Sequence, residues 1–201
     1  MNKKIKAILF DADGIVIDSG HFSRIYTQKF NIKMEKMLPF FDGIFQDCKR
    51  GQADIKKELE PYLKEWKWEK GVEEFLNFWF EIENNIITEG IEIIEYLKMR
   101  GVKCYLVTDQ EINRTNFIRN EMGLKNIFDN IYSSAEIGYL KSEPEFYQYV
   151  LNDLGFEKRE ILFIDDRQKN IDIAKKIGLN NSYLANNSDE VKEILKNMKI
   201  N

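Results

Sequence analysis

The 201-residue chain holds one histidine, two cysteines and three prolines. Cys48 and Cys104 lie far apart and form no CxxC pair, so neither a redox motif nor a cysteine metal site is written here. Cys104 sits in an apolar run and reads as a small buried residue, and a reducing cytoplasm is the expected compartment. There is no apolar run of about 18 residues, which excludes a membrane-spanning helix. The basic start Met-Asn-Lys-Lys-Ile-Lys is followed by an apolar run that Asp11 stops, too short for a signal peptide. Positive charge is not in excess: 30 Lys and Arg against 34 Asp and Glu give a net charge of −4, with the signs interspersed. Nothing resembles a nucleic-acid footprint. Flexible linkers, low-complexity tracts and internal repeats are absent too.

What the chain does hold is a set of short apolar runs that end in polar residues. Residues 4–10 (KIKAILF) stop at Asp11, residues 102–107 (VKCYLV) at Thr108 and Asp109, and residues 161–164 (ILFI) at Asp165 and Asp166. Further short strands are expected near 130–133 and 182–185. Helical patterns separate them: Ile91, Ile94 and Leu97 before Gly101, then residues 113–122, 145–154, 170–177 and 188–198. Strands alternating with helices predict an α/β fold, a Rossmann-like parallel sheet core with helices on both faces. Ligands of such sheets bind beyond the carboxyl ends of the strands, where these polar clusters fall.

One interval is too long. Asp11 and Thr108 are 97 positions apart, whereas a strand–helix–strand unit takes about 30 residues. The surplus is rich in aromatics and includes Trp66, Trp68 and Trp79, all the tryptophans of the chain. Gly43, Gly51, Pro61 and Gly71 punctuate it. It predicts an inserted α-helical cap over 16–87, with 1–15 and 88–201 forming the catalytic core. The tryptophans and Phe40, Phe41 and Phe45 are expected to pack inside that cap.

Asp11 and Asp13 are two positions apart, which puts them on one side of an extended strand end. Close carboxylates repel unless a proton or cation neutralises them. Alone, the pair is compatible with solvated acids at a turn. Asp165 and Asp166, capping a strand that could lie beside the first, shift the reading. Several carboxylates at one sheet edge suit a hard, oxygen-binding cation such as Mg²⁺. Adjacent residues diverge on a strand, so one of this second pair binds directly and the other supports it, and spacing does not say which. Thr108 offers a hydroxyl, and Lys141, ahead of the helix start at Glu143-Pro144, offers the positive charge that phosphoryl transfer needs.

At this point the chain resembles the haloacid dehalogenase-like superfamily. "DADGIVIDS" resembles its first motif, "YLVTDQ" its second, "GYLKSEPEFY" its third and "ILFIDDRQKNIDIAKKIG" its fourth, in family order over residues 5–178. The insertion between the first two motifs resembles the helical cap of the phosphatase-like subgroup. The resemblance implies that Asp11 is the nucleophile and a metal ligand, and that Asp13 is the general acid and base, with its backbone carbonyl on the metal. It implies that Thr108 and the amides that follow, beginning at Asp109, hold phosphate oxygens beside Lys141. It implies that Asp166 binds Mg²⁺ directly, with Asp165 in support. True dehalogenases lack an acid at the position of Asp13, so phosphoryl chemistry is favoured. Two positions depart from the family pattern: Asp109 stands where Asn is usual and Ser142 where Pro is usual. A carboxylate at Asp109 must point away from a phosphate or meet a cation.

The expected activity is Mg²⁺-dependent hydrolysis of a small phosphorylated metabolite by a monomer or small homo-oligomer. A sugar-phosphate mutase and an idle phosphate-ligand-binding protein are the alternatives. The mutases carry a His 12 positions after the nucleophile, whereas His21 follows Asp11 by 10. His21 therefore reads as a hinge residue of the cap or a substrate contact. Arg114 and Arg167 are expected at the surface.

Overall fold

The computed structural model describes residues 4–200. Among them, five parallel strands form one sheet: β1 (Ala7–Asp11), β2 (Lys103–Thr108), β3 (Asn130–Ser133), β4 (Ile161–Asp165) and β5 (Ser182–Leu184), in the order β3-β2-β1-β4-β5. The alternation along each inner strand shows why both faces must be covered. Ile8 and Phe10 of β1, Cys104 and Leu106 of β2, and Leu162 and Ile164 of β4 share one buried cluster. Ala7 and Leu9, Val107, and Ile161 and Phe163 share the cluster on the other face. Such two-sided burial makes parallel strands read as continuous apolar runs.

The α-helices among the described residues are α1 (Phe22–Phe30), α2 (Leu38–Asp42), α3 (Phe45–Lys49), α4 (Ile55–Leu63), α5 (Val72–Ile82), α6 (Thr88–Met99), α7 (Ile112–Asn120), α8 (Ser134–Ile137), α9 (Pro144–Leu154), α10 (Gln168–Lys176) and α11 (Ser188–Asn197). None of the described helices is long and apolar enough to cross a membrane. Strands β1, β2 and β4 run one residue past their expected ends, because Asp11, Thr108 and Asp165 keep strand geometry before the chain turns away. Pro61, expected as a break, stands inside the last turn of α4, where its missing N–H removes a single bond.

Helices α1 to α5 surround a separate cluster that includes Phe22, Tyr26, Phe40, Trp66, Phe75 and Trp79. Phe22 stacks on Trp79 with ring centres 4.7 Å apart. The buried polar ends of these rings are satisfied: the Tyr26 hydroxyl donates to the Trp66 carbonyl at 2.9 Å, and the Trp66 indole to the Lys36 carbonyl at 3.0 Å. Phe40 and Trp66 are fully buried there, while Phe41, Phe45 and Trp68 are half-buried against the same cluster.

The chain leaves and re-enters the sheet unit side by side. Ile17 bridges Ile86 in antiparallel fashion, the Asp18 amide donates to Asn85 and the Ile87 amide to Val16, both at 2.8 Å. The side chains of Val16 and Ile17 pack with the sheet cluster. Gly90 permits this closure, because a Cβ there would sit 2.3 Å from the Ile15 carbonyl oxygen. Glu83 fastens the entry of α1, accepting from the amides of Gly20 (3.1 Å) and Phe22 (3.3 Å) and from the Trp79 indole (3.1 Å).

Arg114 departs from its expected place at the surface: it is 3% exposed. Its guanidinium donates to the carbonyls of Phe80 (3.2 Å) and Glu83 (2.7 Å) and packs against the rings of Phe80 and Phe117. Helix α7 carries it against the last turn of α5, whose unpaired carbonyls and negative dipole end draw a cation. Arg167 is exposed, as expected.

Candidate active site

The site begins with three neighbouring strands that end in polar residues. Register aligns Phe10 with Ile164 and Asp11 with Val107, which brings Asp11, Thr108 and Asp165 to one edge. Asp11 and Asp165 are almost wholly buried, and the Lys141 ammonium bridges them: Nζ lies 2.5 Å from Asp11 Oδ1 and 2.9 Å from Asp165 Oδ2. Burial alone would lower the pKa of Lys141, but Asp11, Asp165 and Asp109 hold it well above its ordinary value. Asp11 is pushed well above the usual carboxylate range, chiefly by burial. Asp165 and Asp13 add to this and Lys141 opposes it. Positive charge brought beside such a buried carboxyl favours its ionised form.

The remaining acids show where that charge would sit. Carboxylate oxygens of Asp11, Asp165 and Asp166 lie within 4.8 Å of one another. Both oxygens of Asp165 are occupied: Oδ2 by Lys141, Oδ1 by the Arg167 amide at 2.9 Å, and both by the Asn170 side-chain amide at 2.9 and 3.2 Å. Asp166 Oδ1, by contrast, is buried with no hydrogen-bond partner among the described residues. Arg167 Nε approaches it only to 3.8 Å. An orphaned carboxylate oxygen beside two buried carboxylates is an oxygen-only set that fits a hard divalent cation.

Asp13 lies beyond the strand, and its carboxylate is not part of this trio. Its carboxylate accepts from Ser19 Oγ at 2.6 Å and from the Gln110 side-chain amide at 3.1 Å, at the edge of a cavity. Gly14 makes the turn with φ +76°, and its Cα faces Asp166. Thr108 Oγ1 is buried and unpartnered among the described residues. Asp109 spends its carboxylate on the protein itself, accepting the Lys141 backbone amide at 2.8 Å. That bond ties the second strand end to the lysine loop and shows how an acid is accommodated where an amide side chain is usual.

The cavity has a volume of about 410 Å³. Asp13, Gly14, Asp109, Gln110, Asp166 and Arg167 form its sheet-side wall, and Phe22, Phe41, Phe45, Lys49, Trp79 and Glu83 line it from the helical insertion. Phe41, Phe45 and Trp79 therefore do two things, packing in the aromatic cluster and facing the cavity. His21 pairs with Asp18 at 2.8 Å at the start of α1 and is not part of the lining. A second hollow of about 300 Å³, lined by residues including Glu89, Tyr96 and Leu195, shares no residue with this one.

Three participants escaped the sequence reading: Asn170, Gln110 and Lys49. Asn170 had a readable signal, since an amide on the buried face of α10 beside Ile171 and Ala174 needs a polar partner. Gln110 and Lys49 had none, because exposed-looking polar residues carry no mark of what they face.

Comparison with known proteins agrees with this geometry. Residues 5–178 match the haloacid dehalogenase-like hydrolase family. A D-ribitol-5-phosphate phosphatase from Bacteroides thetaiotaomicron is 23% identical over 94% of this chain and 97% of its own. A glyceraldehyde 3-phosphate phosphatase from Methanocaldococcus jannaschii is 24% identical over 97% of this chain and 99% of its own. The fold is shared with a crystal structure of a haloacid dehalogenase family enzyme from Bacteroides thetaiotaomicron in complex with magnesium and inorganic phosphate. Its TM-score is 0.71 at 22% identity, covering 90% of this chain and 93% of that one. With a parallel sheet of this order, a buried lysine across two strand-end acids and a match over most of its length, the chain belongs to the haloacid dehalogenase-like hydrolase family.

Proposed function

We propose that the protein is a Mg²⁺-dependent phosphatase that hydrolyses small phosphomonoesters through an aspartyl-phosphate on Asp11. The observation that carries this reading is the Lys141 ammonium between Asp11 and Asp165, beside two buried oxygens with no hydrogen-bond partner among the described residues, Asp166 Oδ1 and Thr108 Oγ1. A metal phosphate would complete both. The relatives named as phosphatases act on small phosphorylated compounds, which agrees with a cavity of about 410 Å³.

Each residue then has a task. Asp11 attacks phosphorus, and the Lys141 ammonium beside it opposes the effect of burial on its carboxylate. Thr108 Oγ1 donates to a phosphoryl oxygen, and the amides after it take the others. Asp13, fixed by Ser19 and Gln110 at the cavity edge, protonates the leaving oxygen and later takes a proton from the attacking water. Asp11, Asp166 and the Asp13 carbonyl would hold Mg²⁺, with Asp165 orienting Lys141 and the loop through Asn170. Bound there, the ion neutralises charge on the phosphoryl oxygens. The aromatic helical insertion over 16–87 acts as a cap that excludes water, with 1–15 and 88–201 as the catalytic core. The free, buried Cys48 and Cys104 suit a reducing cytoplasm. A monomer or small homo-oligomer suffices, since every proposed group comes from one chain.

The test is hydrolysis of p-nitrophenyl phosphate with Mg²⁺, with EDTA and in Asp11→Asn. It is paired with capture of beryllofluoride on Asp11, which detects the site even where the cap rejects that ester. Metal-dependent turnover lost in Asp11→Asn, or Mg²⁺-dependent capture, supports the reading. Failure of both, or turnover that survives Asp11→Asn, overturns it. No contact favours a mutase, as His21 is engaged with Asp18.

A further inference from the structure

Of the two charged side chains that line the cavity from the insertion, Glu83 and Lys49, Lys49 stands apart. Asp13 is held by Ser19 and Gln110, and Asp109 by the Lys141 amide. Glu83 is held by two backbone amides and the Trp79 indole. Lys49, the last residue of α3, makes no hydrogen bond or ion pair with any described residue. Its ammonium lies over the Phe45 ring, 5.6 Å from Nζ to the centre. Half-buried, it bears the cost of partial desolvation without a carboxylate in contact to offset it. Burial pulls its pKa down, with Asp109 and Asp13 opposing from across the cavity.

Its placement is fixed by its neighbours. Arg50 forks onto Glu143, with Nε to Oε2 at 3.1 Å and Nη2 to Oε1 at 3.2 Å. Gly51 abuts the Ala135 carbonyl so closely that a Cβ would lie 2.2 Å from its oxygen. The end of α3 is thus pinned to the sheet unit, and the Lys49 ammonium is offered to the cavity by an ordered backbone. The phosphoryl group already has Lys141, Thr108 and, in the proposed function, the metal. A cation entering the cavity from the insertion, where Lys141 is not part of the lining, is left to meet the other end of the substrate.

We propose that Lys49 determines specificity by binding a second anionic group, a carboxylate or a second phosphate, on the leaving group of the substrate. The inference rests on the phosphatase reading and sharpens it: the preferred ester leaves as an anion rather than as a neutral polyol or aldehyde. Arg167, exposed on the opposite wall, is the second cation available to the same anion.

The test compares kcat/KM with Mg²⁺ for three esters: 3-phosphoglycerate, 1,3-propanediol bisphosphate and the neutral-ended glycerol 3-phosphate. Wild type, Lys49→Met and Lys49→Arg are measured side by side. A charge-assisted hydrogen bond predicts an anionic-to-neutral ratio of about tenfold or more in wild type, lowered about tenfold by Lys49→Met and largely restored by Lys49→Arg. Which of the two anionic esters carries the preference separates carboxylate from phosphate. A ratio that Lys49→Met leaves unmoved overturns the inference, even if every rate falls. So does a wild-type preference for glycerol 3-phosphate, or no turnover of any of the three. In each of these cases beryllofluoride capture on Asp11 reports independently on the phosphatase reading.

Discussion

Replacing Thr108 with Val is predicted to move stability and activity in opposite directions. Thr108 is wholly buried at the end of β2, and its Oγ1 has no partner among the described residues. A buried hydroxyl without a hydrogen bond costs about 1–3 kcal/mol, and Val fills nearly the same volume without it. In EDTA and without phosphate, Thr108→Val should therefore be as stable as the wild type or up to about 1 kcal/mol more stable. For a chain of this size that is a rise in Tm of about 2–4 °C. The hydroxyl has its use when a charged phosphoryl oxygen arrives, and a hydrogen bond to a charged group contributes about 1.5–3 kcal/mol. Losing it should lower kcat/KM by about 10- to 100-fold. Urea unfolding and phosphate-ester kinetics on the same preparations read both quantities. If the variant is less stable by 1 kcal/mol or more without ligand, the hydroxyl is satisfied in the free protein and the argument from its isolation fails.

The Arg50–Glu143 fork should behave as a latch that opens in acid. Burial would raise the Glu143 carboxyl, but Arg50 and the Leu140 amide hold it below its ordinary value of 4.5. The stability it contributes is therefore complete above about pH 4.5 and is lost as pH falls through the lower folded value. With side chains 24% and 31% exposed, Arg50→Met and Glu143→Gln should couple by about 1 kcal/mol in melts at pH 7. That coupling should disappear in acid as Glu143 takes up its proton, and additive effects at pH 7 would refute the latch. Arg114→Met removes the donor to the Phe80 and Glu83 carbonyls and should cost about 1–3 kcal/mol. A change below about 0.5 kcal/mol in urea unfolding would refute this and show that water replaces the guanidinium.

How much of this could be read without coordinates depends on the range of the interactions involved. The strands were readable because each is a local apolar run cut off by a polar residue, and their one-residue extensions at Asp11, Thr108 and Asp165 follow from ladder bonds to neighbouring strands. The acids and Lys141 were readable as residue types in ordered motifs. The use of Asp109 was not, since the amide that occupies its carboxylate is 32 positions away. Arg114 misled for the same reason: a charged residue early in a helix reads as solvated until α5 supplies carbonyls to bury it against.

By itself, the sequence determined the alternation of strands and helices and the chemistry held ready at the strand ends, each encoded within a few residues, and the long aromatic insertion, which the spacing between two strand ends reveals. Tertiary structure alone decided which acceptor is left open and which is spent. Asp165 is saturated by Lys141, Asn170 and the Arg167 amide, whereas Asp166 Oδ1 and Thr108 Oγ1 have no hydrogen-bond partner among the described residues. It also decided that Lys49 faces the cavity while Arg50, the next residue, grips Glu143. Hydrogen-bond satisfaction is a property of groups that meet across the fold, and adjacent residues at a helix end carry no record of which surface each will meet.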